Sequence, residues 1–312
     1  MATGRTGSRG RGARVAVTGG MLPYAAQMAT RTEVRTSLST HRQAGPLEMV
    51  AEGLGELWSR RRLVRYLVGA DLRHTSSNTL LGEVWWILDP LLQMAVYTIL
   101  VTVIFQRSVA DYPIFIFSAL VPWKWFSTAI EDAIGSVTTR DKLIKQLQFP
   151  KIVLPASSVL AATYNFGFGL AAMGIMLVLL YPARISALLV LIPLVAVVQF
   201  ALTFALALFA AAINVFFRDL RNVSRHALRL WFYLSPVLWS FEAFFPEANR
   251  TLRLVETVNP FYPVLSAYRD LVYYGRSPDW GALAAVLAVS VLLGAIGVAF
   301  FKRLEPAFAK VL

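Results

Sequence analysis

IVLPASSVLAATYNFGFGLAAMGIMLVLLY, residues 152–181, runs for thirty residues without a charge, and ISALLVLIPLVAVVQFALTFALALFAAAINVFF, residues 185–217, runs for thirty-three. A bilayer core about 30 Å thick is crossed by about 20 helical residues, so each stretch predicts a spanning helix with length to spare. Tilt, helical extensions or kinks at Pro155 and Pro193 would absorb the surplus. The whole chain agrees: 57% of its 312 residues are hydrophobic and 15% are charged, less charge than soluble domains carry.

Working outward, further spans are expected at 84–105, opening with Trp85 and Trp86 at headgroup depth, at 113–134, and at 281–301. The region between the fourth span and the last is different. Residues 230–241 are apolar for only twelve positions, with Pro236 in the middle. A second semi-apolar stretch, 255–271, holds Pro260 and Pro263. This pattern reads as a short span followed by a re-entrant element. The expected fold is an all-α membrane protein. Six transmembrane helices follow an N-terminal amphipathic interfacial helix, and a re-entrant segment precedes the last helix.

That interfacial helix is expected over 46–82. Val50, Leu54, Leu57, Val64, Val68 and Leu72 recur at helical spacing, while Glu52, Glu56, Arg60, Arg61, Arg65 and Arg73 fall largely on the other face. Residues 1–45 carry seven Arg and one acid, Glu33, and too few apolar residues to form a core. They read as a disordered basic cytoplasmic tail. No apolar stretch follows those charges, so a cleavable signal peptide is not expected. Residues 83–312 form the transmembrane domain.

Basic residues set the orientation. With both termini inside, the segments 46–83, 136–151, 218–229 and 302–312 hold sixteen Lys and Arg, against six in 106–112, 181–186 and 246–280. The excess on one side predicts cytoplasmic termini. The net charge of +12 is thereby explained by topology, and a nucleic-acid partner is not implied.

Several chemistries are missing. There is no Cys, and His41, His74 and His226 lack ligand spacing, so no metal site is expected. No phosphate-cradling G-x-x-x-x-G-K-[ST] occurs, nor H-E-x-x-H or G-x-S-x-G, and no catalytic residue is assigned. Two spans without any charge argue against ion-coupled transport, which places ionisable residues along the ion path. Energy for transport is expected from another polypeptide.

Short motifs then carry a resemblance. Leu81-Gly82-Glu83-Val84-Trp85-Trp86 with Asp89-Pro90, Leu120-Val121-Pro122-Trp123 with Phe126, Leu143-Ile144-Lys145 with Phe149-Pro150-Lys151, Phe217-Arg218-Asp219-Leu220, and Asn259-Pro260-Phe261-Tyr262-Pro263 occur in one order. Over about residues 50–312 the chain resembles the ABC-2 type permeases, in particular the branch exporting O-antigens, teichoic acids and galactan. The resemblance implies a homodimer of this chain in the bacterial plasma (inner) membrane. It also implies two copies of a separate P-loop subunit that binds ATP and Mg²⁺, a lipid-linked glycan as substrate, and no cofactor on this chain.

Candidate residues come from both readings. Lys142, Lys145, Phe149, Pro150 and Lys151 lie in a short basic loop that resembles a coupling helix; topology alone explains its cations but not Phe-Pro. Arg218, Asp219 and Arg221 form a second docking candidate. Arg221, Arg225 and Arg229 repeat every four residues, facing lipid phosphates or an acidic partner, and topology control explains them equally well. The interfacial helix resembles a substrate gate whose Arg60, Arg61, Arg62 and Arg65 suit a pyrophosphate, or bulk anionic lipid. Trp85, Trp86, Trp123, Tyr164, Phe166 and Trp231 are candidates for a sugar path, though belt and packing roles suit aromatics too. Asp89 and Lys124 are expected to pair, since a lone charge in lipid is costly. Competing functions are a drug- or lipid-exporting ABC-2 permease and, in another class, a membrane enzyme acting on polyprenyl-linked sugar.

Overall fold

The computed structural model describes residues 45–76, 82–106, 109–244 and 258–312. The expected tail at 1–45 therefore lies almost wholly outside the described residues. The described chain is helical, with no strand.

Two helices, α1 (Pro46–Ser59) and α2 (Arg61–Ser76), occupy the region read as one amphipathic helix. Pro46 opens α1 where its missing N–H costs nothing, and the Gly45 N–H donates to Glu48 Oε2 at 3.0 Å. The chain leaves helical geometry at Arg60 (ψ 17°). Among the described residues, five helices are long and apolar enough to cross a membrane: Trp85–Ile104, Tyr112–Ser136, Val153–Leu180, Ala187–Phe216 and Trp280–Val311. The first is α3 (Trp85–Thr98) continued by a wider turn over Ile99–Ile104, where the Phe105 N–H reaches back five residues to Leu100 O. The second is α4 (Tyr112–Ser136). After the short α5 (Asp141–Gln146) come α6 (Val153–Leu180) and α7 (Ile192–Phe216). A 3₁₀ segment, Ala187–Leu191, leads into α7. Pro155 and Pro193 both fall in first turns, where proline is tolerated. They do not kink these helices; the surplus length is simply helix.

The segment expected as a fifth span is built differently. Helix α8 (Leu220–Leu234) begins ten residues earlier, so its basic first half and apolar second half form one amphipathic helix. It ends before Pro236, and the short α9 (Phe241–Phe244) follows. The Arg221 guanidinium lies against Gly135 at one end of α4. Phe232 packs on Trp123 halfway along. The Leu238 carbonyl accepts from the Tyr112 hydroxyl at the other end, at 2.9 Å. Residues 221–238 thus run antiparallel to all of α4. Helix α10 (Phe261–Arg269), extended by a wide turn over Asp270–Tyr274, starts beside Trp123 and Phe126. It finishes with the Tyr273 hydroxyl donating to Ala110 O at 2.7 Å.

The last helix, α11 (Trp280–Val311), starts with Asp279 accepting from the Ala282 N–H at 3.0 Å, which satisfies one free donor of its first turn. It continues past the expected end at 301 to Val311.

Helix α4 is the centre. In its spanning window 78% of residues are buried, against 11% for Trp85–Ile104. With no hydrophobic drive between helices in lipid, close packing and polar clamps hold such bundles. Gly169 lets α6 approach α4 so closely that an added Cβ would meet Val121 at 2.6 Å. Gln199 and Asn214 of α7 donate to the Pro122 and Ile134 carbonyls of α4, each at 2.8 Å. At the end of α4 bearing Tyr112, Arg184 holds Asp111 at 2.6 Å and the Tyr273 carbonyl at 2.7 Å. Burial pulls the Arg184 pKa down, but the hydrogen bond to Asp111 and the field of Tyr273 outweigh it and the net direction is up.

Candidate functional site

Between α3, α4 and α8 lies an open cavity of about 350 Å³. Its wall combines Gln93 and Tyr97 of α3, Trp123, Lys124, Ser127, Thr128 and Glu131 of α4, and Arg225, Arg229, Phe232 and Tyr233 of α8. Helical spacing explains the set: Arg225 and Arg229 share one face of α8, one turn apart, while Leu228 and Phe232 are buried. A second cavity, of about 300 Å³, lies between α3, α4 and α6, and Trp85, Trp86, Asp89, Lys124, Asn165 and Phe166 face it.

Asp89 and Lys124 form an ion pair across α3 and α4; Lys124 lines both cavities and Asp89 the second. Gln93 donates to the same carboxylate at 3.4 Å. Both side chains keep partial exposure, at 46% and 36%, so the pair is screened. Asp89→Asn and Lys124→Met should each lower the thermal midpoint by about 2–4 °C. The double substitution should cost less than the sum, because the partners are in contact. Additive losses in detergent-purified protein would show that the two do not depend on each other.

The aromatic candidates separate. Trp123 and Phe166 are buried, at 4% and 6% exposure. Trp123 packs among Phe126, Trp231, Phe232 and Phe261, and Phe166 stacks on Trp125 with centroids 4.4 Å apart. Trp85 and Tyr164 are exposed. Trp86 stands edge-on to Phe168 at 5.0 Å. Trp231 is half-buried, its indole N–H donating to Asn259 Oδ1 at 3.0 Å. Asn259, a hub the motif reading did not single out by itself, also donates to Ser235 Oγ and accepts from the Phe261 N–H.

The basic end of the bundle collects the docking candidates. Lys142 and Lys145 are exposed, and Lys145 donates to Leu312 O at 2.7 Å. Phe149, before Pro150 in the candidate docking loop, is half-buried in a cluster with Ile144, Ile152 and Phe308. The exposed apolar residue is Leu147, at 55%; one leucine in a polar loop gave no signal of its own. The Lys151 N–H donates to Glu305 Oε1 at 2.6 Å. Arg218 and Asp219 are exposed, and among the described residues no ion pair joins them. Arg221 faces a smaller cavity with Asp132 and Arg140. Arg140 is itself paired with Asp71 of α2.

Arg60, Arg61, Arg62 and Arg65 are all exposed, with Val64 and Leu67 buried beneath them. Arg61 lies over the Trp58 ring at 5.5 Å. A cluster invisible in sequence order fixes α1 to α11. Lys302 Nζ reaches Glu56 at 2.9 Å, and Glu52 and Glu305 at 3.1 Å each. Gly53 packs so tightly that an added Cβ would meet Val298 at 2.5 Å. Among the described residues no group of three or more His, Asp or Glu is placed to hold a metal ion.

The family model of the ABC-2 type transporter matches residues 62–273. The O-antigen export system permease protein RfbA of Myxococcus xanthus is 35% identical over 255 residues, 82% of this chain and 97% of its own length. A protein of the same name from Klebsiella pneumoniae is 26% identical over 253 residues, 80% of this chain and 95% of its own. A bundle of apolar spanning helices, matched by this family over more than half its length, belongs to the ABC-2 type transporter family.

Proposed function

We propose that this chain is the membrane subunit of an O-antigen export system, passing a polyprenyl-linked polysaccharide outward on energy from a separate ATPase. The observation that carries this reading is its near full-length likeness to export permeases. The bundle adds a cavity lined by both aromatic and basic side chains.

The path of 221–238 along all of α4 supports a sixth crossing made by α8 and the residues after it. The 15 residues of α8 rise about 22 Å, and the residues after it, up to Leu238 beside Tyr112, bring the path close to the depth of a bilayer core. Six crossings agree with both termini on the cytoplasmic side. The climb of α10 from Phe126 to Ala110 supports the return limb of a re-entrant element. The low burial of Trp85–Ile104 supports a second copy of this chain against that helix. The gate role belongs to α1 and α2, which precede α3 in the chain.

The ATPase docks on the basic end, with the exposed Leu147 as its apolar anchor and the exposed Lys142, Lys145, Arg218 and Arg221 as its charged contacts. An apolar anchor with polar contacts outside it suits such an interface. Leu147→Glu should lower co-purification of the ATPase subunit about tenfold or more, with the thermal midpoint of the isolated chain unchanged. Full recovery of the ATPase on the variant would remove Leu147 from the interface. The reading as a whole is tested by depleting the protein in cells. A polyprenyl-linked O-polysaccharide should accumulate on the cytoplasmic side, and unchanged surface polysaccharide would reject the assignment.

A further inference from the structure

We propose that Arg225 and Arg229 of α8 bind a phosphate or diphosphate ester in the cavity between α3, α4 and α8. The inference rests on the export reading, and on α8 as a crossing helix, and it names the group of the substrate that this cavity recognises.

Depth is the first argument. Arg221 lies against Gly135 at the basic end of α4. Arg225 and Arg229 come one and two turns further along, so Arg229 sits about 12 Å deeper along the helix axis. The next turn brings Phe232 onto Trp123, in the middle of α4. Arg229 is therefore well inside the bundle's length.

Pairing is the second. Lys124, the other cation on this cavity, is neutralised by Asp89. Among the described residues no carboxylate lies within ion-pair distance of Arg225 or Arg229. Glu131 lines the same cavity, which leaves two arginines against one acid. An unpaired cation at this depth is costly and marks a path for an ion or a charged substrate. An anion entering the cavity removes that cost.

The chemistry of the wall is the third. Two guanidinium groups one turn apart present forked N–H donors, the geometry that takes phosphate oxygens in pairs. The Thr128 hydroxyl on the facing helix supplies a further donor. Phe232, Tyr233 and Trp123 continue the wall beyond the arginines, where aromatic ring faces suit the sugar or prenyl chain that a glycolipid joins to its phosphate. Arg225 and Arg229 are exposed, as are Arg60 and, on α2, Arg61, Arg62 and Arg65. What sets the α8 pair apart is the cavity wall it shares with Thr128 and the aromatic rings.

The test uses the full chain in phosphatidylcholine nanodiscs, titrated with inorganic pyrophosphate and with a short-chain polyprenyl diphosphate. Both should bind and compete. In R225Q/R229Q the Kd should rise about tenfold or more, a loss of about 1.4 kcal/mol per tenfold. R225K/R229K should fall between wild type and R225Q/R229Q, since lysine keeps the charge and loses the fork, and R303Q on α11, away from this cavity, should be unchanged. Should the double variant aggregate, the single variants R225Q and R229Q carry the test, each with a measurable rise. Pyrophosphate binding without binding of the polyprenyl ester would support the anion site and assign it to a soluble phosphate. Wild-type binding by R225Q/R229Q, or an equal loss in R303Q, would overturn the proposal. Glycan accumulation on depletion, together with unaffected binding in R225Q/R229Q, would sink this site and leave the export reading standing.

Discussion

Arg269→Met should destabilise the bundle by about 3 kcal/mol, read as a lower thermal midpoint in detergent. Arg269 is 1% exposed, and among the described residues no carboxylate pairs with it. Its guanidinium instead donates to three carbonyls, of Pro236 at 2.7 Å, Val237 at 3.0 Å and Trp239 at 3.2 Å. The cation also lies 4.1 Å over the Phe115 ring. Those carbonyls belong to the stretch where α8 has just ended at a proline. Helical bonds no longer satisfy them, and an unsatisfied buried carbonyl is expensive. Methionine fills part of the volume and removes a buried charge, which offsets some of the loss. The three carbonyls would remain. Arg269→Lys should recover only part, because one ammonium lacks the fork that reaches several acceptors at once. Faster hydrogen exchange at residues 237–244 in R269M would locate the damage. An unchanged midpoint would show that water satisfies these carbonyls.

Lys302→Met should act at the other end. Lys302 is the shared counter-ion of Glu52, Glu56 and Glu305, and its side chain is 11% exposed, with Glu305 at 9%. Removing one partner of a largely buried ion cluster costs about 3 kcal/mol or more. Here the loss also sets three carboxylates against each other. The effect should be concentrated in α1, which Gly53 and these two glutamates hold on α11. Trypsin should cut sooner at Arg60, Arg61 or Arg62, where α1 meets α2. Adding Glu56→Gln to Lys302→Met should restore part of the stability, since it removes one of the repelling charges. Equal proteolysis of wild type and K302M would mean that packing at Gly53 and Val298 alone seats the helix. The same cluster reaches the loop before α6 through the Lys151 N–H and Glu305. It thereby joins the proposed docking loop, the proposed gate and the last helix.

The long apolar runs made the fold legible. Residues 152–181 became α6 within one residue at each end, and 185–217 became the 3₁₀ segment Ala187–Leu191 and α7, because a thirty-residue run without a charge has few other solutions. The interval 218–274 was less legible. Its helix α8 is amphipathic, so an apolar run marks only its second half, and Arg218 to Arg229 read as a separate cytoplasmic segment. The helical repeat of Arg221, Arg225 and Arg229 was the signal that these residues continue one helix. Prolines misled where position within the helix mattered: Pro155 and Pro193 start helices, while Pro236 ends one. At the candidate site, Asp89 and Lys124 were found because charge is rare in apolar helices. Phe149 is half-buried and Leu147 exposed, a difference that depends on tertiary neighbours such as Ile152 and Phe308 and has no local signal. The Lys302 cluster joins residues about 250 positions apart, and no local pattern announces it.

The most direct test places this chain in phospholipid vesicles, with and without its separately purified ATPase. Movement of a polyprenyl-linked O-polysaccharide across the bilayer is then followed on addition of ATP and Mg²⁺. Movement should require both proteins, and the chain alone should show neither movement nor ATP hydrolysis. ATP hydrolysis by the isolated chain, or movement of the glycan without the second protein, would contradict a passage powered from another polypeptide.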